Sequence, residues 1–129
     1  MKINKFEDLE IWQLAIKITK FIYDITSENQ FSKDFELKNQ IRKASISISS
    51  CIVEGFEKNN NNEFKRFLEI AKGSCGEVRN QLFIALTVGY INKEKFEIGN
   101  KLLIEESSKL GSLINYLKNI KSKKQFLNK

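Results

Sequence analysis

Apolar residues recur three and four positions apart along most of this chain of 129 residues, the spacing that gathers side chains on one side of an α-helix. The chain has no proline and only six glycines, so few positions would interrupt a long helix. Polar runs rich in Ser and Asn separate the apolar segments. We therefore predict an all-α fold with helices over about 6–26, 33–55, 62–89 and 92–121.

The first predicted helix is apolar around much of its circumference. Its apolar surface consists of one helix face and the positions on either side of that face: Leu9, Ile11, Trp12, Leu14, Ala15, Ile16, Ile18, Thr19, Phe21, Ile22, Tyr23 and Ile25. A helix with so wide an apolar surface needs more partners than one bundle offers. We therefore expect a subunit interface to bury part of it.

Five helix ends are predicted from residues whose side chains or backbones suit helix termini. Ser32 is expected as the N-cap of the second helix, and Gly55 as its left-handed C-terminal residue. Asn61 or Asn62 is expected to cap the third helix, which Gly89 closes, and Asn92 to cap the fourth. Ser45–Ser49 alternates with period two like a strand, but helical spacing on both sides outweighs that signal.

Four long helices with short connections predict one domain over residues 1–129, an antiparallel up-down-up-down bundle. The lysine-rich end, 121–129, is expected to be frayed or disordered. The opening Met1–Asp8 is polar, and no apolar run approaches the roughly 20 residues that span a bilayer. The sequence therefore predicts no signal peptide, no membrane partner and a cytoplasmic location.

Residue types exclude most enzyme classes. The chain has no histidine, which removes the commonest general base and metal ligand, and with it any Glu-x-x-His di-iron site. Cys51 and Cys75 are expected on antiparallel helices, offset along the helix axes by roughly 9 Å, which is too far for a disulfide. Both are therefore expected to be free thiols. No phosphate-binding glycine loop occurs. We expect no enzyme, cofactor or metal; a carboxylate-only magnesium site or a cysteine nucleophile ranks last.

The formal charge of +6 permits an acidic partner such as nucleic acid. The excess is mostly lysine, with arginine only at positions 42, 66 and 79, so it favours less specific contacts. Lys65, Lys72 and Arg79 are spaced by seven and line one stripe of the third helix, which could follow a phosphate backbone. Glu69 interrupts the stripe at ion-pair spacing, which favours an ordinary solvated face. Lys118, Lys121, Lys123 and Lys124 form a second basic cluster.

Two local features need a structural explanation. Gly73 and Gly76 lie inside the third helix, where each costs about 0.5–1 kcal/mol relative to alanine. We predict that a large side chain such as Trp12, or a neighbouring backbone, approaches them closely; a ligand pocket is the alternative. Glu54 lies near the negative C-terminal end of its helix. It is expected to bond to the start of the third helix, or to Arg42 or Lys43 of a neighbouring subunit.

Ordered sequence motifs resemble a known family. They are Phe6–Gln13, Gln40–Ile48, Ile52–Phe56, Glu63–Ser74 and Leu86–Ile91, and among them Trp12, Gln40, Glu54, Gly55, Gly73, Ser74 and Gly76 are expected to form the structural motif. Together they resemble the four-helix-bundle proteins encoded in intervening sequences of bacterial 23S ribosomal RNA genes. Cys51 stands where the family more often has asparagine, and Val53 where it has alanine, so local packing is expected to differ there.

The resemblance implies a closed bundle that assembles as a ring-shaped homopentamer. It also implies a fold shared with the accessory protein of diversity-generating retroelements, which resembles a basic barrel that binds nucleic acid and a reverse transcriptase. The leading hypothesis is a non-enzymatic oligomeric protein that binds RNA or DNA, or acts as an adaptor for a nucleic-acid-processing protein. Its candidate contacts are Arg42, Lys43, Lys65, Lys72, Arg79, Lys121, Lys123 and Lys124. The alternative is a protein–protein interaction module without nucleic-acid binding.

Overall fold

The computed structural model describes residues 3–120. Its first long helix, α1 (Glu10–Thr26), follows a 3₁₀ turn at Phe6–Asp8. The buried residues of α1 repeat at intervals of three and four, as the sequence pattern predicts; they include Ile11, Ala15, Ile18, Ile22 and Ile25. At the end of the helix the Thr26 hydroxyl donates a 2.7 Å hydrogen bond to the Ile22 carbonyl.

The second helix, α2 (Phe35–Glu57), begins later than the sequence predicts. Its N-cap is Asp34, whose Oδ1 accepts a 3.0 Å hydrogen bond from the Leu37 amide. The prediction of Ser32 as the cap is wrong, because Ser32 lies in a second 3₁₀ turn (Phe31–Lys33) and donates instead to the Asn29 carbonyl at 2.6 Å. The fully buried Phe31 anchors that turn.

The end of α2 also differs from the prediction. Gly55 does not end the helix with a left-handed backbone; it is helical and buried, and α2 continues to Glu57. A Cβ at Gly55 would lie 2.7 Å from Phe67 Cβ and 3.2 Å from Phe64 Cδ1. Gly55 therefore permits close packing against the next helix, while the left-handed conformation falls on Asn59, with φ of 53°.

The third and fourth helices are α3 (Asn61–Thr87) and α4 (Lys93–Asn119). The cap of α3 is Asn60, one residue before the predicted pair, and its side chain accepts from the Glu63 amide at 3.0 Å. Gly89 follows α3 with φ of +83°, and Asn92 caps α4 through a 2.8 Å bond from the Lys95 amide. These two predictions are confirmed.

The helices form an antiparallel bundle in which each packs against its neighbours in the chain and α4 returns to α1. The pairing is fixed by contacts between distant positions: Ser47 with Ser74 across α2 and α3, and Glu10 with Lys109 across α1 and α4. Buried apolar residues of all four helices form a single core. The contact between α1 and α4, the α1–α4 seam, is the least extensive of the contacts between neighbouring helices. The all-α, four-helix prediction is confirmed.

The close approach predicted around Gly73 and Gly76 is wrong within the chain. Both glycines are exposed, and a Cβ added at either would meet nothing within 4 Å. Trp12 packs elsewhere, edge to face on Phe6 with ring centroids 5.4 Å apart. These glycines lie on the outer side of α3, whereas the neighbouring Ser74 and Cys75 are buried.

Candidate nucleic-acid interface

Lys65, Lys72 and Arg79 lie along the flank of α3 that faces α4. Arg79 Nε donates a 2.8 Å hydrogen bond to Asn100 Oδ1 of α4. Lys72 is exposed, and its Cε would lie 3.4 Å from a Cβ placed on Gly111 of α4. The three cations of the predicted stripe therefore lie in one row along the helix, with one cation in about every two helical turns. We call these three residues the α3 basic flank.

The residues of the α3 basic flank differ in their intramolecular contacts. Lys65 Nζ lies 3.7 Å from the Glu69 carboxylate, the intrahelical ion pair that the sequence spacing indicates. Lys65 is half-buried and Glu69 is exposed, and ion pairs at the surface contribute little to stability. Lys72 makes no ion pair within residues 3–120. Within the α3 basic flank, Lys72 is therefore the cation most available to an outside phosphate.

Arg42 occupies the α1–α2 seam rather than the α3 basic flank. Its Nε donates to Thr26 Oγ1 at 2.8 Å, one terminal nitrogen donates to Ser27 Oγ at 3.1 Å, and the guanidinium lies 4.2 Å from the Tyr23 ring centroid. These bonds attach α2 to the C-terminal end of α1, where a cation is favourable to the helix dipole. A nucleic-acid contact by Arg42 would compete with them and stays a prediction.

Lys43 is exposed and lines a groove of about 330 Å³ between α2 and α3. The groove is lined by Gln40, Lys43, Ala44, Ser47 and Glu77. Beside it the hydroxyls of Ser47 and Ser74 are 3.0 Å apart, which joins the two helices. Gln40 of the predicted structural motif thus lines the groove and is exposed. Ser74 of the motif is buried and is joined to the groove residue Ser47 by the hydroxyl contact.

Glu54 is exposed near the end of α2. It acts electrostatically on Arg66 of α3, where it helps, after the Glu63 side chain, to raise the pKa of the guanidinium. The predicted bond from Glu54 to the first turn of α3 is not formed; Asn60 accepts from the Glu63 amide there instead. A contact with another subunit stays a prediction.

The candidate cations do not gather in one patch. Arg42 lies at the α1–α2 seam, Lys43 at the α2–α3 groove and the α3 basic flank beside α4. Lys121, Lys123 and Lys124 lie outside the described residues. Among residues 3–120, only the α3 basic flank therefore presents several of the predicted cations together.

Large apolar side chains are exposed on two sides of the bundle. At the α1–α2 seam, Ile16 and Tyr23 of α1 and Ile46 of α2 are exposed. On the side of α3 and α4, Phe83 and Ile98 are each 47% exposed, and the Phe83 ring lies 4.6 Å from Phe96. Surfaces of this kind are typical of contact with another protein or subunit.

Glu106 is a residue that the sequence reasoning missed. It lies in α4 three positions after Leu103 and four before Leu110, within the apolar stripe, and it is fully buried. Its place in that stripe is the signal by which the sequence could have identified it. The free thiols are confirmed as predicted: Cys75 is buried, and burial raises the pKa of its thiol to about 12.

Residues 3–120 contain neither a cluster of metal-binding side chains nor a helix that could span a membrane. No group of three or more acidic, cysteine or histidine side chains is placed to hold a metal ion. No helix in the same range is long and apolar enough to cross a membrane.

A family model for the 23S rRNA-intervening sequence protein matches residues 7–112, most of the chain. The chain belongs to this family. A crystal structure of a protein of unknown function from the S23 ribosomal protein family of Bacteroides thetaiotaomicron is similar in fold. It is 24% identical with a TM-score of 0.74, and the match covers 81% of this chain and 97% of that one. No curated protein matches the chain.

Proposed function

We propose that this member of the 23S rRNA-intervening sequence family is a non-enzymatic, homo-oligomeric protein that binds RNA or DNA through the α3 basic flank. The observation that carries the proposal is the exposed Lys72, which makes no ion pair with any residue of 3–120, with Lys65 and Arg79 on the same flank of the helix. Clustered cations bind phosphates mainly by releasing counterions, without requiring base-specific contacts.

Assembly into an oligomer would present several copies of the α3 basic flank together and so strengthen the weak binding of a single copy. The exposed apolar residues at the α1–α2 seam and on the side of α3 and α4 lie on two different sides of the bundle. Contact between two different surfaces generates a ring when the rotation closes. We propose a ring of five copies, in which five basic flanks act together on one strand. In the cytoplasm, such a ring would serve as an adaptor for a nucleic-acid-processing protein.

The test measures RNA binding and assembly in the same samples. Fluorescence anisotropy with a generic labelled RNA, at low and moderate salt, is paired with light-scattering mass after size exclusion. We expect a pentamer whose RNA affinity falls steeply with salt. The triple variant Lys65→Glu, Lys72→Glu, Arg79→Glu should keep the pentamer and lose RNA.

A matched control separates local charge from net charge. Lys17, Lys33 and Lys101 are exposed on other elements, so reversing all three with glutamate changes the net charge equally. This control should retain most of the RNA affinity. Equal losses in both triple variants would contradict a site at the α3 basic flank, and absence of RNA binding by the wild type at low salt would contradict nucleic-acid binding altogether.

The second candidate function is a protein–protein interaction module. It is favoured by the exposed backbone at Gly73 and Gly76, which a partner helix could approach closely. It is also favoured by the engagement of Arg42 and Arg79 within the chain. In this case the charge-reversed flank would leave both assembly and partner binding unchanged, and RNA would not change the scattering mass.

A further inference from the structure

Glu106 is a carboxyl group enclosed in the hydrophobic core. It is fully buried in α4 between Leu103 and Leu110. Neither of its oxygens has a hydrogen-bond partner among the described residues. A buried carboxylate without hydrogen bonds or a paired cation is strongly unfavourable, and such a group binds a proton instead.

Nearby charges in the part of the chain that the structure describes do not supply the missing partner. From α3, the Cys75 thiol interacts with Glu106, and Lys72 acts on that thiol. From α1, Glu10 binds the one nearby cation of α4: Lys109 Nζ lies 2.6 Å from Glu10 Oε1. On α4 itself, Lys109 attracts and Glu105 repels a charge on Glu106, but both effects are smaller than that of burial.

Burial therefore raises the pKa of Glu106 from 4.5 to about 8. The chain has no histidine, the side chain that ordinarily titrates near neutral pH. The shifted carboxyls of Glu10, Asp34 and Glu63 have their pKa values lowered by hydrogen bonds, so their effects fall in acid. The titration of Glu106 therefore changes the stability of the fold in a pH range where those three carboxyls do not change it.

Of the contacts between neighbouring helices, the one between α1 and α4 is the least extensive. The α1–α4 seam carries a groove of about 540 Å³, lined by residues that include Leu9, Ile11, Lys109, Leu113 and Tyr116. Lys109 is one helical turn from Glu106, so the groove approaches the level of the buried carboxyl. Separation of α4 from α1 would give an ionised Glu106 access to water at the smallest loss of packing.

We propose that Glu106 is a proton-dependent latch: the bundle closes along the α1–α4 seam with a protonated Glu106, and loss of that proton loosens the seam. The unfolded chain releases this proton near its ordinary value of 4.5, whereas the folded chain retains it to about 8. The stabilising effect of the proton is therefore complete below pH 4.5 and is lost progressively as pH rises to 8. One retained proton changes the folded-to-unfolded ratio about tenfold per pH unit.

The first experiment measures urea unfolding of the wild type and of Glu106→Gln between pH 5 and 9. The folded-to-unfolded ratio of the wild type, extrapolated to zero urea, should fall about tenfold per pH unit up to pH 8 and then level off. Glu106→Gln, an uncharged isostere, should lack that slope. Glu105→Gln, the exposed neighbour on the same helix, should keep it. A slope that Glu106→Gln retains would overturn the proposal.

The second experiment reads the seam directly and uses the wild-type residue at 106. In a Cys51→Ala background, Cys75 is the single thiol, and it is a buried thiol of α3 on which Glu106 acts electrostatically. Labelling of Cys75 should rise between pH 7 and 9 beyond the rise seen with the same reagent in unfolded protein, and Glu106→Gln should suppress the excess. If Cys75 gains no excess reactivity in this range, the seam does not open and the latch is contradicted. This outcome is independent of RNA binding.

Discussion

The Tyr90 hydroxyl donates a 2.9 Å hydrogen bond to Oδ2 of Asp34, the residue that caps α2 through its other carboxylate oxygen. One side chain therefore begins a helix and attaches it to the segment that follows α3. The Leu37 amide, followed by the Tyr90 hydroxyl, holds the pKa of Asp34 below its usual 3.8. Tyr90 also packs on the buried Phe31, with ring centroids 5.3 Å apart.

Asp34→Ala should lower the melting temperature by roughly 3–6 °C, because α2 loses its cap. Asp34→Asn can still cap and should lose less. Because the folded pKa of Asp34 is depressed, its stabilising effect is present above pH 3.8 and is lost as pH falls through the folded value. Asp34→Asn should therefore flatten the acid side of the stability curve measured by thermal unfolding. An unchanged acid side would contradict this role.

Gly55→Ala should destabilise the bundle by about 0.5–2 kcal/mol. Its Cβ would lie 2.7 Å from Phe67 Cβ, an atom that can move only with α3 itself; the overpacking exceeds the gain in helix propensity. Gly99→Ala is the matched comparison, because there the contact at 2.6 Å is with Phe21 Cε2, the far end of a ring that can rotate. Urea unfolding should rank Gly55→Ala as the more harmful change.

Gly73→Ala and Gly76→Ala should each stabilise the folded chain by about 0.5–1 kcal/mol, since alanine favours a helix and the added Cβ meets nothing within 4 Å. Urea unfolding and light scattering test the two consequences separately. A gain in stability with unchanged mass is expected if this surface faces solvent. Loss of assembly would instead place the two glycines in a subunit contact.

Arg42→Lys should cost about 1–2 kcal/mol of stability, because lysine cannot reproduce the two hydrogen bonds to Thr26 and Ser27. The positive charge remains, so RNA affinity should change little. Lys43→Arg, at the exposed neighbouring position, is the control and should alter neither property. A large loss of RNA affinity with unchanged unfolding would show that Arg42 acts as a binding residue.

One thiol per chain should react readily with a disulfide reagent at pH 7. Cys51 is half-buried, whereas Cys75 is fully buried and its pKa is raised to about 12, which leaves almost no thiolate. Cys75→Ser should therefore leave the rapid phase unchanged, and Cys51→Ser should remove it. Rapid reaction of Cys75 in the Cys51→Ser variant would contradict the burial described here.

Local sequence accounts for the helices and several of their ends. Apolar spacing of three and four predicts all four helices, and Asn92 and Gly89 act at the termini that their chemistry favours. The sequence motifs also identify the family that the match over residues 7–112 establishes. These features depend on short-range effects, the helical repeat and the unsatisfied backbone groups at helix ends.

Contacts between helices decided the rest. Gly55 has the sequence signature of a helix end, but Phe67 and Phe64 require a residue without a side chain inside α2. Arg42 resembles a free cation in sequence and is bound by α1 across the seam. Glu106 has a polar side chain but is buried, because Leu103 and Leu110 on the same side of α4 pack into the core. Sequence determined which helices form; only the packing of one helix on another decided which charges face solvent and which glycines are needed.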